Sequence, residues 1–110
     1  MGAQFVQEGN SIDYTPDADV ASGAVVVQGD LVGVAKRPIA ANTPGALSVT
    51  GVFDFPKATG AGSGIAVGTS VYWAAAASQA TATAAGNKLI GKTVRAAADG
   101  DATVRVRMSQ

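Results

Sequence analysis

Residues 86–93 match the nucleotide-binding pattern GxxxxGK[ST], in which a glycine-rich turn and a lysine hold phosphate groups. The residues that would carry this chemistry are Gly86, Gly91, Lys92 and Thr93. Such a loop works only where a buried strand precedes it and a helix follows it, because the free N–H groups at the helix start bind the phosphate. The pattern therefore predicts a nucleotide-dependent enzyme only if its flanking segments form that strand and that helix.

The segments on either side of this pattern do not predict that arrangement. Residues 78–85 read SQATATAA and lack the Val, Ile and Leu of a buried parallel strand. Residues 103–108 read TVRVRM, and this alternation of side-chain polarity is typical of a second strand and not of a helix. We therefore interpret residues 88–95 as a strand that contains a glycine, and we expect Lys92→Ala to leave fold and function nearly intact.

The composition excludes several classes of site. The 110 residues suit a single domain and include no histidine and no cysteine, which removes Ser-His-Asp and Cys-His catalysis and nearly all zinc sites. Eight basic and eight acidic residues give zero net charge, whereas a general nucleic-acid binder needs a basic excess. No apolar run approaches the ~20 residues of a membrane helix. We expect no catalytic residue, cofactor or metal, and neither nucleic acid nor membrane as a partner.

Short β-branched and alternating segments, separated by frequent glycine and proline, predict an all-β fold, either a small compact barrel or a sandwich. Residues 73–77 favour a helix by propensity, but residues 79–84 alternate at period two and threonine disfavours helix interiors, so residues 73–84 are predicted as loop and irregular strand. Residues 1–20 form a candidate extended arm within the single domain of residues 1–110. The predicted strands are residues 4–9, 24–27, 31–34, 46–55, 65–73, 87–96 and 103–108.

A weak internal repeat supports this fold class. Gly68 and Gly86 are each followed by two polar residues, and Gly29 by one, before two large residues that are mostly aliphatic. Glycine supplies a positive-φ or tightly packed turn, after which the chain enters a strand. On this interpretation the phosphate-binding look-alike is the third copy of a turn that starts a strand.

Other candidate sites have structural explanations. Asp99-Gly100 lacks the ligand series of a calcium loop and predicts a hairpin turn. Residues 60–64 read GAGSG and are predicted to form a flexible loop with a role in interaction left open. Tyr72 and Trp73, the only concentrated aromatic pair, suit either core packing or an interface anchor, and the sequence does not choose between them.

A two-residue turn at Asp99-Gly100 would place Lys92 opposite Arg107 and Val94 opposite Arg105. Alternation then predicts one buried face and one exposed face. The buried face would contain Leu89, Thr93, Val104, Val106 and Met108. The exposed face would contain Lys92, Arg105 and Arg107. Facing like charges are unfavourable, so we expect acidic groups to meet this face. The candidates are the N-terminal segment bearing Asp13, Asp17 and Asp19, a second subunit, or a separate partner protein.

Several stretches resemble a family of small tailed-phage capsid cement, or head decoration, proteins. The family was formerly of unknown function, and members have been labelled phage recombinases. The resemblance covers nearly the whole chain, and its most specific parts are the Val-Tyr-Trp and Gly-Asn-Lys-Leu-Ile-Gly segments. The matching stretches are residues 5–9, 51–60, 71–73 and 86–107.

This resemblance implies a β-clip-like fold, no catalytic residues, and homotrimers on the outer capsid lattice that clamp neighbouring major capsid proteins. It also implies a virion protein that is made in the cytoplasm of the bacterial host. Two alternatives stay open at this point. One is a nucleotide-binding enzyme that uses residues 86–93, and the other is a carbohydrate- or host-binding module on the virion surface.

Overall fold

The computed structural model describes residues 2–110, which form nine β-strands and no helix. The all-β prediction is therefore confirmed. The strands build two antiparallel sheets that stay open and do not close into a barrel. The strands are β1 (Ser11–Tyr14), β2 (Val25–Gln28), β3 (Leu31–Val34), β4 (Gly45–Ser48), β5 (Gly51–Pro56), β6 (Ser70–Ala74), β7 (Gln79–Thr81), β8 (Lys88–Thr93) and β9 (Thr103–Met108).

The first sheet has the order β1-β4-β3-β2 and consists of four-residue strands. Strands β2 and β3 form a hairpin in which Gln28 faces Leu31, so Gly29 and Asp30 are its two turn residues. Gly29 has a φ of 60°, as a two-residue hairpin turn requires. Strand β4 leaves β3 early, because Val34 and Ser48 are their only paired residues.

The chain changes sheets between β4 and β5. The sequence predicts one continuous strand over residues 46–55, and this prediction is wrong, because the strand breaks at Val49 and Thr50. Gly51 follows with a φ of 109°, a conformation that favours glycine. Strands β4 and β5 belong to different sheets, but each has one face that points into a core. The alternation of apolar residues therefore continues through the break and does not reveal it.

The second sheet has the order β5-β9-β8-β6-β7. Strand β9 lies between β5 and β8 and pairs along its whole length with β5, from Gly51 opposite Met108 to Pro56 opposite Thr103. Strand β7 covers only residues 79–81 of the segment predicted as loop and irregular strand. Strand β9 therefore has a hydrogen-bonded neighbour on both sides and lies in the interior of the sheet.

The main core lies between the sheets. Phe55, Trp73 and Ile90 from the second sheet pack with Val32 and Val34 from the first. A smaller cluster of Ala35, Ile39 and Leu47 lies within the first sheet region. The predicted strand over residues 4–9 is absent, and these residues are exposed without strand pairing. Residues 11–14 of the candidate arm are strand β1, which pairs with β4.

The three repeat glycines share one role. Gly29, Gly68 and Gly86 have φ values of 60°, 79° and 75°, and a strand begins two residues after each of them. Positive φ is readily adopted by glycine because it has no Cβ atom. The repeat seen in the sequence therefore marks the turns that precede β3, β6 and β8.

Candidate interaction face

The phosphate-binding look-alike has the geometry of a turn and an antiparallel strand. Lys88–Thr93 is strand β8, which pairs with β6 and β9, and no helix follows it. A Cβ atom at Gly91 would overlap the backbone carbonyl oxygen of Arg107, so the close approach of β9 requires glycine there. The second glycine of the pattern is therefore explained by strand packing.

Thr93 also has a structural role. Its side chain is almost fully buried, at 3% exposure. The Thr93 hydroxyl donates to the Ala66 carbonyl oxygen at 2.7 Å and accepts from the Thr69 backbone N–H at 3.0 Å. A phosphate-binding hydroxyl would need to be free for a metal ion, whereas this hydroxyl is occupied by the loop before β6. The arrangement offers no phosphate cradle.

The predicted register of the closing strands is confirmed. Lys92 faces Arg107, and the Val94 N–H donates to the Arg105 carbonyl oxygen at 3.1 Å. The Asp101 N–H donates to the Ala98 carbonyl oxygen at 3.0 Å, which closes the turn around Asp99 and Gly100.

Strand pairing between β8 and β9 nevertheless ends after Thr93 and Val106. Residues 94–102 form a longer excursion, in which Ala97 bridges to Ile65 instead of continuing the hairpin. The same excursion contacts the glycine-rich loop of residues 60–64. The Gly64 N–H donates to the Asp99 carboxylate at 2.6 Å, and the Ser63 hydroxyl donates to the Asp99 carbonyl oxygen at 2.9 Å.

The predicted buried face is correct except at one position. Thr93, Val104, Val106 and Met108 are buried, but Leu89 is 37% exposed, and Ile90 occupies the core instead. The cause is a β-bulge: Val71 faces Gly91 while Tyr72 faces Leu89, so Ile90 is an extra residue on β8. One extra residue reverses the alternation before it.

The acidic partner of Arg105 is Asp54 on β5, directly across the strand pair. The Arg105 guanidinium donates two hydrogen bonds to the Asp54 carboxylate, at 2.9 and 3.2 Å. These hydrogen bonds hold the pKa of Asp54 below its ordinary value, with a further contribution from the charge of Arg95. One predicted alternative was that the N-terminal segment of the same chain supplies the acidic partner of Arg105, and the structure does not show that contact.

The three N-terminal aspartates lie elsewhere. Asp13 is exposed on β1 opposite Ala46, and Asp17 is exposed in the following turn. Asp19 accepts a hydrogen bond from the Ala41 N–H at 2.8 Å. The structure therefore does not bring Asp13, Asp17 or Asp19 to the basic residues of β8 and β9.

Lys92 and Arg107 face each other on the outer side of the second sheet, and neither forms a salt bridge within residues 2–110. Their lateral neighbours are Ser70 on β6 and Val52 on β5, and Val52 is 52% exposed. We call the outer side chains of Val52, Leu89, Lys92 and Arg107 the basic face. Two uncompensated cations beside exposed aliphatic groups make this face suitable for an acidic protein surface.

The two neighbouring aromatic residues separate onto opposite faces of β6. Trp73 is buried in the main core, with its ring centroid 6.2 Å from that of Phe55. Tyr72 is half-buried on the outer side, where it faces Leu89. Of the two sequence-based alternatives, the structure therefore assigns core packing to Trp73, while Tyr72 lies at the border of the basic face.

Two polar residues with structural importance were not identified from the sequence. Lys57 is 5% exposed, and its ammonium group donates to the carbonyl oxygens of Ala58 and Asp101 at 2.7 and 2.8 Å. The Gln110 side chain bonds to the backbone of Val32. Each has a partner far away in the sequence, Asp101 for Lys57 and Val32 for Gln110, so no local pattern marks them.

The described residues contain no group of three or more acidic side chains placed to hold a metal ion. Within residues 2–110, no helix has the length and apolarity needed to cross a membrane. The arrangement is that of a small all-β domain in which Gly91 and Thr93 of the phosphate-binding look-alike have structural roles.

Comparison with known proteins agrees with this class. The family model of the phage cement protein matches residues 6–108, which is nearly the whole chain. The chain therefore belongs to the phage cement protein family, and it is a structural virion protein that binds the phage capsid. No curated protein and no solved structure matches the chain significantly.

Proposed function

We propose that the protein binds the outside of the phage head as a homotrimer and stabilises the capsid lattice by clamping neighbouring major capsid proteins. The membership of the phage cement family is the observation that carries this proposal. The structure supports it because residues 86–93, which match a phosphate-binding pattern, form a turn and the packed strand β8. The proposed place of action is the outer surface of the virion, after synthesis in the bacterial cytoplasm.

The basic face is the proposed contact with the coat protein. Lys92 and Arg107 are directly opposite each other, and like charges in such a pair repel by a few tenths of a kcal/mol up to ~1. A carboxylate on a partner would relieve this repulsion, and the exposed Val52 and Leu89 would supply apolar contact area. An acidic, partly apolar patch on the major capsid protein is therefore the expected counterpart.

Co-sedimentation with heads that lack the protein tests this proposal. The unaltered protein should pellet with the heads, and Lys92→Glu should weaken head binding by about tenfold or more at physiological salt, because it reverses the charge facing the partner. Lys36→Glu is the matched control, since Lys36 is an exposed lysine that follows β3 in the other sheet. Normal binding by Lys92→Glu, or equal loss in both variants, would reject the basic face as the contact.

The homotrimer has its own test. Sedimentation equilibrium without heads should give about three times the chain mass of 10.8 kDa. A mass of one chain at all concentrations contradicts trimer formation in solution.

Calorimetric titration with Mg²⁺ and ATP should show no binding, and clear Mg²⁺-dependent binding would instead support the nucleotide-binding alternative.

A further inference from the structure

A groove opens where the two sheets meet, at the point where the chain leaves β4 for β5. Its volume is about 570 Å³, which is in the range of pockets that hold several side chains. Leu31 and Val49 give the groove an apolar side, residues 50 and 109–110 line the rest with polar groups, and Arg107 borders it. Gly9 and Asn10 also line it, so the N-terminal segment leaves the domain at this groove.

At the groove, a side chain makes the hydrogen bonds that a neighbouring strand would otherwise make. Strand β4 pairs with β3 only at Val34, and because the chain crosses to the other sheet at residues 49–51, β4 does not pair with the backbone of Val32. The Gln110 amide fills this gap: its oxygen accepts from the Val32 N–H at 2.7 Å, and its nitrogen donates to the Val32 carbonyl oxygen at 2.6 Å. With these groups satisfied, the groove can receive apolar side chains without leaving Val32 unpaired.

The N-terminal segment has the complementary chemistry but does not occupy the groove of its own chain. Phe5 and Val6 are 81% and 86% exposed, which is unusual for neighbouring large apolar residues. The Gln7 side-chain amide donates to the Ser11 carbonyl oxygen at 3.2 Å, so the segment is turned back on itself near Asn10. Glu8 follows directly and supplies a carboxylate.

We propose that the groove between the sheets binds residues 2–8 of a second copy of this chain. Phe5 and Val6 pack against Leu31 and Val49, and Glu8 pairs with Arg107, which leaves Lys92 as the cation of the basic face that meets the coat protein. The exchange buries the exposed apolar pair and compensates a cation that has no salt-bridge partner within residues 2–110. This inference rests on the proposed homotrimer and specifies the contact that would hold it together.

Photo-crosslinking in the absence of heads tests the contact directly. A chain with benzoylphenylalanine in place of Phe5 is mixed with an isotope-labelled chain that has the unaltered sequence. After irradiation, mass spectrometry should find residue 5 joined to labelled peptides that contain residues 31, 49–51 or 107–110. Crosslinks to the groove within the same chain only, to other surfaces only, or to nothing would overturn the proposal.

A charge exchange tests the Glu8–Arg107 pair independently. Glu8→Arg and Arg107→Glu should each weaken self-association by about tenfold or more, and the double variant should recover most of the loss. Asp13→Arg is the matched control, because Asp13 is an exposed acidic residue on nearby β1. Unchanged association in both single variants, or no recovery in the double variant, would refute the pair.

These tests separate the groove from the wider proposal. A trimer that forms without groove crosslinks would refute the groove but leave the homotrimer standing. A single-chain mass together with the absence of crosslinks would refute both. Because neither measurement uses heads, a failure of capsid binding cannot be mistaken for a failure of arm exchange.

Discussion

The two sheets of this protein differ in how they are held together. The second sheet supplies the large side chains of the main core, including Phe55, Trp73 and Ile90. The first sheet has strands of only four residues, and its own cluster is Ala35, Ile39 and Leu47. Because burial stabilises in proportion to apolar area, at roughly 25 cal/mol per Å², most of the stability should reside in the second sheet and its contacts.

The sheets also differ in how they use glycine. In the second sheet, a Cβ atom at Gly91 would overlap the backbone of Arg107, which cannot move without breaking the β8–β9 pairing. In the first sheet, a Cβ atom at Gly33 would lie 2.8 Å from the Cβ of Leu47, which is fixed to its backbone and would also have to shift. The overlap at Gly33 is nevertheless smaller than the overlap at Gly91, so the first sheet has to move less to accept the added atom.

The largest expected effect comes from Gly91→Ala. The added methyl group forces β8 and β9 apart, and we expect a loss of more than about 4 kcal/mol, which is a large part of the total stability of a small domain. Gly33→Ala is the matched control and should cost less. Urea denaturation of both variants measures the difference, and an equal or larger loss for Gly33→Ala would break the comparison between the sheets.

Truncating one large core residue in each sheet sharpens the comparison. Phe55→Ala should cost about 3–5 kcal/mol, because it leaves a cavity next to Trp73. Leu47→Ala should cost about 2–3 kcal/mol, because its smaller cluster can collapse more easily. Chemical denaturation with both variants checks the order, and a greater loss for Leu47→Ala would place the main stabilising core in the first sheet.

Acid should weaken the second sheet at the Asp54–Arg105 pair. The pKa of Asp54 is lowered in the folded state from its ordinary value of 3.8, so its contribution is present above pH 3.8 and is lost as pH falls through the lowered folded pKa. The effect should be small, because the pair is exposed to solvent. The stability difference between the unaltered protein and Asp54→Asn should shrink below pH 3.8, and a difference that grows there would contradict this sign.

The smallest effect is expected for Lys92→Ala. Lys92 is exposed on the outer side of β8, and substitutions of this kind usually change stability by no more than about 0.5 kcal/mol. Removing one charge should also weaken head binding far less than reversing it in Lys92→Glu. Thermal melting and an ATPase assay check this, and an ATPase activity that disappears in the variant would contradict the structural interpretation of residues 86–93.

Local patterns predicted the closing strands of the second sheet. The alternation in residues 103–108 gave the bounds of β9, and the Asp99-Gly100 turn gave the pairing of Lys92 with Arg107. The glycine repeat marked where β3, β6 and β8 begin. These features depend on residues close together in the chain, so sequence reasoning could identify them.

The candidate site was predicted less completely. Lys92 and Arg107 were assigned to the correct outer face, but Arg105 proved to be paired with Asp54, which is 51 residues away. The extra residue at Ile90 exposed Leu89, and the adjacent Gly91 is the local signal for it, because a glycine inside a strand often marks a bulge. Tyr72 and Trp73 could be separated only after the face of β6 that meets the core was known.

The sequence by itself determined that this chain is built from short strands, where most of its turns fall, and which residues of the closing strands face each other. The tertiary structure alone decided that residues 46–55 divide between two sheets, that Asp54 neutralises Arg105, and that Gln110 replaces a missing strand beside Val32. The physical reason is that turns and alternation are set by neighbouring residues. Sheet changes, bulges and long-range hydrogen bonds are set by strands that meet only after the whole chain has folded.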